Sequence, residues 1–189
     1  MELQPPIIYN VKISFEVNLN DIDKIFKICN DINNNMKISY FKNFITITNR
    51  FIFFIHEKLD QTKKNGKSYS KCINITKIKN IENMKIAISH FCEMFDISEG
   101  SITNIKINNM TASGCLGKRI KLNYFYSNNI LLKSNKFITI KYNISIFPGM
   151  FCKTKYGTIL LFQSGKYSIV GVKSEEDMLK IYNIIISLI

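Results

Sequence analysis

The sequence predicts an α+β protein built from two tandem, pseudo-symmetric copies of a strand–helix–antiparallel strands–helix unit, at 7–97 and 103–189. Three observations predict it. The stretch Phe147–Lys180 reads as three short strands joined by tight turns and leading straight into a helix. The same order of elements occurs earlier in the chain. Each copy ends in a helix with one apolar stripe, as a helix lying on a sheet requires.

In the first copy, Ile7–Val17 alternates, with Val11, Ile13, Phe15 and Val17 on one side and Asn10, Lys12, Ser14 and Glu16 on the other. This period of two predicts a strand with one buried face. Asn20-Asp21-Ile22-Asp23 starts a helix carrying Ile22, Ile25, Phe26 and Cys29 on one side, and Asn33–Asn35 ends it. Two apolar strands follow, Met36–Thr48 and Phe51–Leu59, joined near Asn49-Arg50. Gln61–Lys67 is a polar loop, Tyr69–Ile78 a further strand, and Ile81–Phe95 a helix repeating Met84, Ile88, Phe91, Cys92 and Phe95. Asp96–Ser101 marks the boundary between the copies.

The second copy opens with the strand Ile105–Leu116. A short helix is predicted within Lys121–Tyr126, a loop at Lys133–Asn135 and an extended run over Lys136–Ile146. Phe147-Pro148-Gly149 then opens a strand that turns at Lys155-Tyr156-Gly157 into Thr158–Phe162. Gln163-Ser164-Gly165-Lys166 turns that strand into Tyr167–Val172. Ser174 caps the last helix with Asp177 three residues on, and the helix buries Met178, Ile181, Tyr182, Ile185, Leu188 and Ile189.

Composition narrows the function. The 189 residues include 26 Lys and Arg against 14 acids, a formal net charge of +12. That excess suits a polyanionic partner, because each neutralised phosphate releases counterions. The five cysteines are scattered and form no C-x-x-C pair, which argues against a disulfide framework or a zinc site and suits a reducing compartment. No apolar run approaches the ~18 residues of a membrane span, and the first residues lack the pattern of a signal peptide. The expectation is a soluble intracellular protein without a cofactor or a small-molecule substrate. Its bias towards Ile, Asn and Lys points to an AT-rich genome.

Nothing in the sequence points to an enzyme. His56 and His90 have no acid pair, nucleophile or metal spacing around them. Gly165-Lys166 and Gly66-Lys67 are hairpin turns, because the upstream glycine and following Ser or Thr of a phosphate loop are missing.

Phe147-Pro148-Gly149, the strand with Lys153, the run Leu160-Leu161-Phe162 before Ser164-Gly165-Lys166, and Gly171 with Lys173-Ser174-Glu175-Glu176 before a helix together resemble the second repeat of the TATA-box-binding protein family. The resemblance is strong in the second copy and weak in the first. It implies the family's saddle, one curved antiparallel sheet with helices on the convex face. The concave face would lie on the minor groove of AT-rich promoter DNA, with aromatic wedges entering base steps at both ends so that the duplex bends.

The site residues follow from the same resemblance. Phe147 and Phe162 match the wedge pair of the second repeat. Phe54 is the counterpart of Phe162, standing before Ile55-His56-Glu57-Lys58 as Phe162 stands before Gln163-Ser164-Gly165-Lys166. Phe41 is the choice for the counterpart of Phe147, with Phe44 and Tyr40 as rivals because this hairpin is shorter. Asn109 matches the central asparagine that donates to minor-groove acceptors, a chemistry suited to A·T pairs. Asn10 is its first-repeat candidate, with Pro6 in an alternative register. Lys12, Thr76, Thr111, Ser113, Ser168 and Val170 are further positions on the open face, and Lys153 and Lys166 are phosphate contacts. Ser168, Val170 and Asn74 depart from the family and make the face more polar.

Partner contacts depart too. The family's glutamates before F-P-G, used by a recruiting factor, are replaced by Tyr142-Asn143-Ile144-Ser145-Ile146. The implied protein is a divergent initiation factor that contacts other initiation factors or polymerase subunits. The departures suit one encoded by a large DNA virus, acting in the nucleus or a cytoplasmic viral factory. The alternatives are a protein-interaction subunit that keeps the fold while losing DNA binding, and the substrate-binding module of a nucleic-acid enzyme.

Overall fold

The computed structural model of the protein describes residues 2–17, 25, 37–41, 44–48, 50–59, 67–127 and 136–187, with backbone alone at 37, 40–41, 44–45, 56–59 and 67–71. Of the helix expected from Asn20, Ile25 alone is described, helical and buried. The rest of that helix, Asn33–Asn35, the polar loop before Lys67 and Lys133–Asn135 lie outside these residues.

The chain forms two compact units, one of Asn10–Asn108 and one of Met1–Tyr9 with Asn109–Ile189. Strands β1 (Leu3–Glu16) and β6 (Thr103–Leu116) each supply residues to both.

In the 10–108 unit, β2 (Lys37–Phe41), β3 (Phe44–Thr48), β4 (Ile52–Leu59) and β5 (Lys67–Ile78) form an antiparallel ladder that ends on β1. Because side chains alternate across a sheet, Val11, Ile13, Phe15, Ile47, Phe53, Ile55, Ile73 and Ile75 share one face, and all are buried. Helix α1 (Asn83–Phe95) packs Ala87, Ile88, Phe91, Cys92 and Phe95 on the core side. The Phe91 ring lies 5.1 Å from Phe15 and 5.4 Å from Phe53, distances at which edge-to-face rings attract. Burying each such side chain is worth roughly 1.5–3 kcal/mol.

In the other unit, β7 (Thr139–Lys141), β8 (Gly149–Lys153), β9 (Thr158–Phe162) and β10 (Lys166–Val172) make the ladder that ends on β6. Met110, Ala112, Met150, Cys152, Ile159, Leu161, Tyr167 and Ile169 form its buried face. Among the described residues this unit holds the helices α2 (Leu122–Ser127) and α3 (Glu175–Ile186). Helix α3 buries Met178, Ile181 and Ile185 at helical spacing, and Tyr182 lies 6.3 Å from Tyr167 ring to ring. Its start is set chemically: the Asp177 amide donates to Ser174 Oγ at 3.1 Å, and Glu175, Glu176 and Asp177 face the positive end of the helix dipole.

Two expected strands are corrected. Met36–Thr48 is not one strand but the β2–β3 hairpin, in which Phe41 pairs with Phe44. The sequence does carry a sign of this fold-back, the polar pair Lys42-Asn43 between Phe41 and Phe44, which the single-strand expectation passed over. Lys136–Ile146 is strand only at Thr139–Lys141. Asn143 ends it: its side chain accepts from the Ser145 amide at 3.1 Å, and its carbonyl accepts from the Ile146 and Phe147 amides. This turn brings the chain round to the start of β8.

Candidate nucleic-acid interface

Residues that alternate with each buried set form a second strand face. In the 109–189 unit the ladder sets Ser113, Ser168, Leu160 and Phe151 in one row and Val170, Thr158 and Lys153 in the next. Ser113, Phe151 and Lys153 are exposed, and Ser168, Leu160, Val170 and Thr158 are half-buried. Helices pack on the other side of these strands.

At one end of this face stand Phe147 and Phe162. Their ring centroids lie 5.8 Å apart at 64°, an edge-to-face pair, and Phe147 is 43% exposed. Gly149, opposite Phe162 in the β8–β9 ladder, makes the pairing possible. A Cβ there would lie 2.6 Å from Phe147 Cε1 and 2.9 Å from Phe162 Cε1. The glycine of Phe-Pro-Gly is thus a seat for two rings, which the sequence reading did not see. Nor did it single out Phe151, although alternation with buried Met150 and Cys152 was a legible signal.

Asn109 is held from behind. Its Oδ1 accepts from the Gly171 amide at 2.8 Å, and its Nδ2 donates to Thr111 Oγ1 at a longer 3.4 Å. Gly171 has φ of 80° at the register shift in the β6–β10 ladder, a bulge that turns its N–H towards Asn109. The anchored oxygen leaves the amide nitrogen as the group with donors to spare. Thr111, expected on the open face, is only 7% exposed and its hydroxyl accepts from Asn109.

The 10–108 unit repeats the plan. Its β1–β5 ladder shifts between Val11 and Ile13, and Lys77 has φ of 68° where the other unit has Gly171. Val11 pairs with Ile78 as Met110 pairs with Val172, so Asn10, and not Pro6, stands at the level of Asn109. Asn10 Oδ1 accepts from Thr76 Oγ1 at 3.5 Å. Thr76 and Val170 occupy matching places. Lys12 is exposed between buried Val11 and Ile13. Asn74 accepts at Oδ1 from Asn108 Nδ2, whose own Oδ1 accepts from Ser14 Oγ, a polar chain in which Asn108 was not foreseen.

The wedge candidates of this unit are placed differently. Phe54 lies opposite Asn74 and Thr46, on the side away from the buried Phe53 and Ile55. By ladder position it matches Leu160, and His56, paired with Phe44 as Phe162 is with Gly149, takes the level of Phe162. The two lysines used for counting are not equivalent: Lys58 lies within β4, paired with Ser68, whereas Lys166 begins β10. Phe41 ends β2, three residues before Phe44, and its side chain lies outside the described residues, as do those of Tyr40 and Phe44.

Lys153 and Lys166 are exposed at the edge of the 109–189 face, where cations can meet phosphates. Among the described residues no group of three His, Cys, Asp or Glu side chains could hold a metal, and no helix is long and apolar enough to cross a membrane.

Residues 104–189 match the family described as transcription factor TFIID, or TATA-binding protein. The structure is similar to that of Methanococcus jannaschii TBP, with a TM-score of 0.70 and 23% sequence identity over 97% of each chain. No curated protein matches the sequence. The chain thus shares the fold of TATA-binding protein along nearly its whole length, and residues 104–189, whose strands seat Phe147, Phe162 and Asn109, carry that family's sequence pattern.

Proposed function

We propose that this protein is a transcription initiation factor that binds AT-rich duplex DNA through the minor groove and bends it. Its two units act as tandem repeats, each offering the strand face opposite its helices. The observation that carries the reading is the Phe147–Phe162 pair, two rings in edge contact on a glycine seat at the end of such a face. Large apolar side chains left half in water cost free energy unless a partner covers them, and a wedge between base steps is such a partner.

Asn109 and Asn10 supply the donors for A·T acceptors. Lys12, Thr76, Ser113, Ser168 and Val170 line the groove, and Thr111 steadies Asn109. Phe54 and Phe41 are the wedge candidates of the 10–108 unit, with Lys153 and Lys166 on phosphates. The net charge of +12 supports steep salt dependence. Initiation factors or polymerase subunits are the protein partners. The composition and altered partner surface support an origin in a large DNA virus, with action in the nucleus or a viral factory.

Phe147→Ala with Phe162→Ala, tested by fluorescence transfer across an end-labelled AT-rich duplex, is expected to abolish most bending while the melting temperature changes little. Full bending by the double variant sinks the reading.

One observation favours a second reading, a TBP-fold interaction subunit with little DNA binding. Ile144 and Ile146, in the turn that replaces the family's glutamates, are exposed, Ile146 by 82%. Co-purification of a tight protein partner, with no gel shift on AT-rich duplex, decides for it.

A further inference from the structure

We propose that the cavity behind the β8–β9 hairpin docks an acidic protein segment that inserts a large apolar side chain. The cavity holds about 330 Å³, within the range of sites that enclose a ligand group. Its floor is Leu116, Phe137, Cys152, Ile159, Leu161 and Ile185, all buried. Cys152, Ile159 and Leu161 alternate along their strands with Phe151, Leu160 and Phe162. The cavity therefore lies on the opposite side of the strands from the proposed DNA face, and the two sites do not overlap.

The rim differs sharply from the floor. Lys118, Arg119, Lys121 and Tyr124 line it and are exposed, and no carboxylate is among the lining residues. Lys118 and Arg119 sit on a strap of chain that is fixed at both ends, and Lys121 follows it directly. The Leu116 amide donates to the Gly165 carbonyl and the Ile120 amide to the Gln163 carbonyl, each at 2.9 Å. Gly165, with φ of 84°, leaves room for the Lys118 carbonyl beside it. A second depression, sharing Arg119, Ile120, Lys121 and Tyr124 and reaching Asn123 and Gln163, prolongs the groove.

Charge complementarity selects the occupant. A floor whose one donor is the weak thiol of Cys152 offers little to a free phosphate, and a neutral apolar ligand makes no ionic contact with the rim. A fatty acid brings one carboxylate to three cations. A peptide segment with several carboxylates flanking a Leu or Phe satisfies both parts, since the apolar side chain gains the hydrophobic term and the rim charges steer and orient it.

The probe is a short fluorescein-labelled peptide alternating Glu with Leu and Phe, titrated into the full-length protein. Saturable binding that weakens with salt is expected. Arg119→Glu with Lys121→Glu is expected to weaken it about tenfold or more without lowering the melting temperature, because both side chains are exposed. Methyl NMR places the probe: the δ1 methyls of Ile120, Ile159 and Ile185 shift, and that of Ile52 does not. No saturable binding overturns the proposal, as does binding indifferent to the charge reversal or binding that moves methyls elsewhere. Decanoate shifting those methyls where the peptide does not also overturns it, assigning the cavity to a small amphiphile.

Discussion

Gly149→Ala separates the role of the ring pair from the stability of the strands beneath it. The added methyl would lie 2.6 Å from Phe147 Cε1 and 2.9 Å from Phe162 Cε1, whereas carbon atoms rest at about 3.5–4.0 Å. One ring must therefore retreat by about 1 Å. Phe147 is the one that can, since it is 43% exposed and precedes β8, whereas Phe162 is fixed within β9. Overpacking a closed core costs about 1–3 kcal/mol. With an exposed ring free to swing outward, the loss here is expected near the lower end, partly offset because Ala loses less backbone entropy than Gly. The edge-to-face contact, worth about 0.5–1.5 kcal/mol, is spoiled. In the proposed binding mode, a ring displaced by that distance no longer meets its base step. The variant should melt within a few degrees of the parent yet bend an AT-rich duplex much less, as read by fluorescence transfer at saturating protein. Undiminished bending with an unchanged melt would refute the reasoning, because the seat would then have no bearing on the wedge.

Three further outcomes are expected. Gly165→Ala places a side chain at φ of 84° against the Lys118 carbonyl, and urea titration should show a loss of about 2–3 kcal/mol. Asn109→Asp keeps the acceptor for the Gly171 amide but removes the donors and adds a charge. Gel shift should show affinity falling by at least about tenfold, with stability nearly unchanged. Burial pushes the Cys152 thiol up to about 12 and raises the Tyr167 hydroxyl as well. Both groups hold their protons more tightly folded than unfolded, so stability is full below their unfolded values and falls as pH climbs from about 9 towards 12, by up to about 1.4 kcal/mol per unit for each group. Alkaline melting curves test this, and Cys152→Ala should flatten the slope.

Much of the 109–189 unit was legible because its turns carry their own chemistry. Gly165 needs a positive φ, Asn109 and Gly171 meet at a bulge, and Ser174 caps a helix, so residue identity and backbone shape coincide. The 10–108 unit was harder. Its bulge falls on Lys77, which gives no glycine signal, and its hairpin at Phe41–Phe44 is marked only by the polar pair Lys42-Asn43, with no Gly or Pro to punctuate it. Counting from the following lysine put Phe54 level with Phe162, but Lys58 lies inside β4 whereas Lys166 begins β10, and the ladder sets Phe54 level with Leu160. Gly149 as a seat, the Asn108 link and the cavity behind β8 and β9 were beyond the sequence, because each depends on residues brought together only by packing.

The Tyr167 hydroxyl donates to the carbonyl of Gln4, across 163 positions of chain. Gly114, opposite Tyr167, is bare of a side chain where that hydroxyl crosses, and Met1–Tyr9 belongs to the same unit as the last strands. During synthesis the first segment therefore leaves the ribosome long before its partners exist. Leu3, Ile7 and Tyr9, exposed even in the finished protein, spend that interval without a strand beside them. Closing so long a loop costs little equilibrium stability, since the entropy grows only with the logarithm of length, but it slows folding. Removing Leu3–Tyr9 should thus weaken the strands around Tyr167, although they lie far away in sequence.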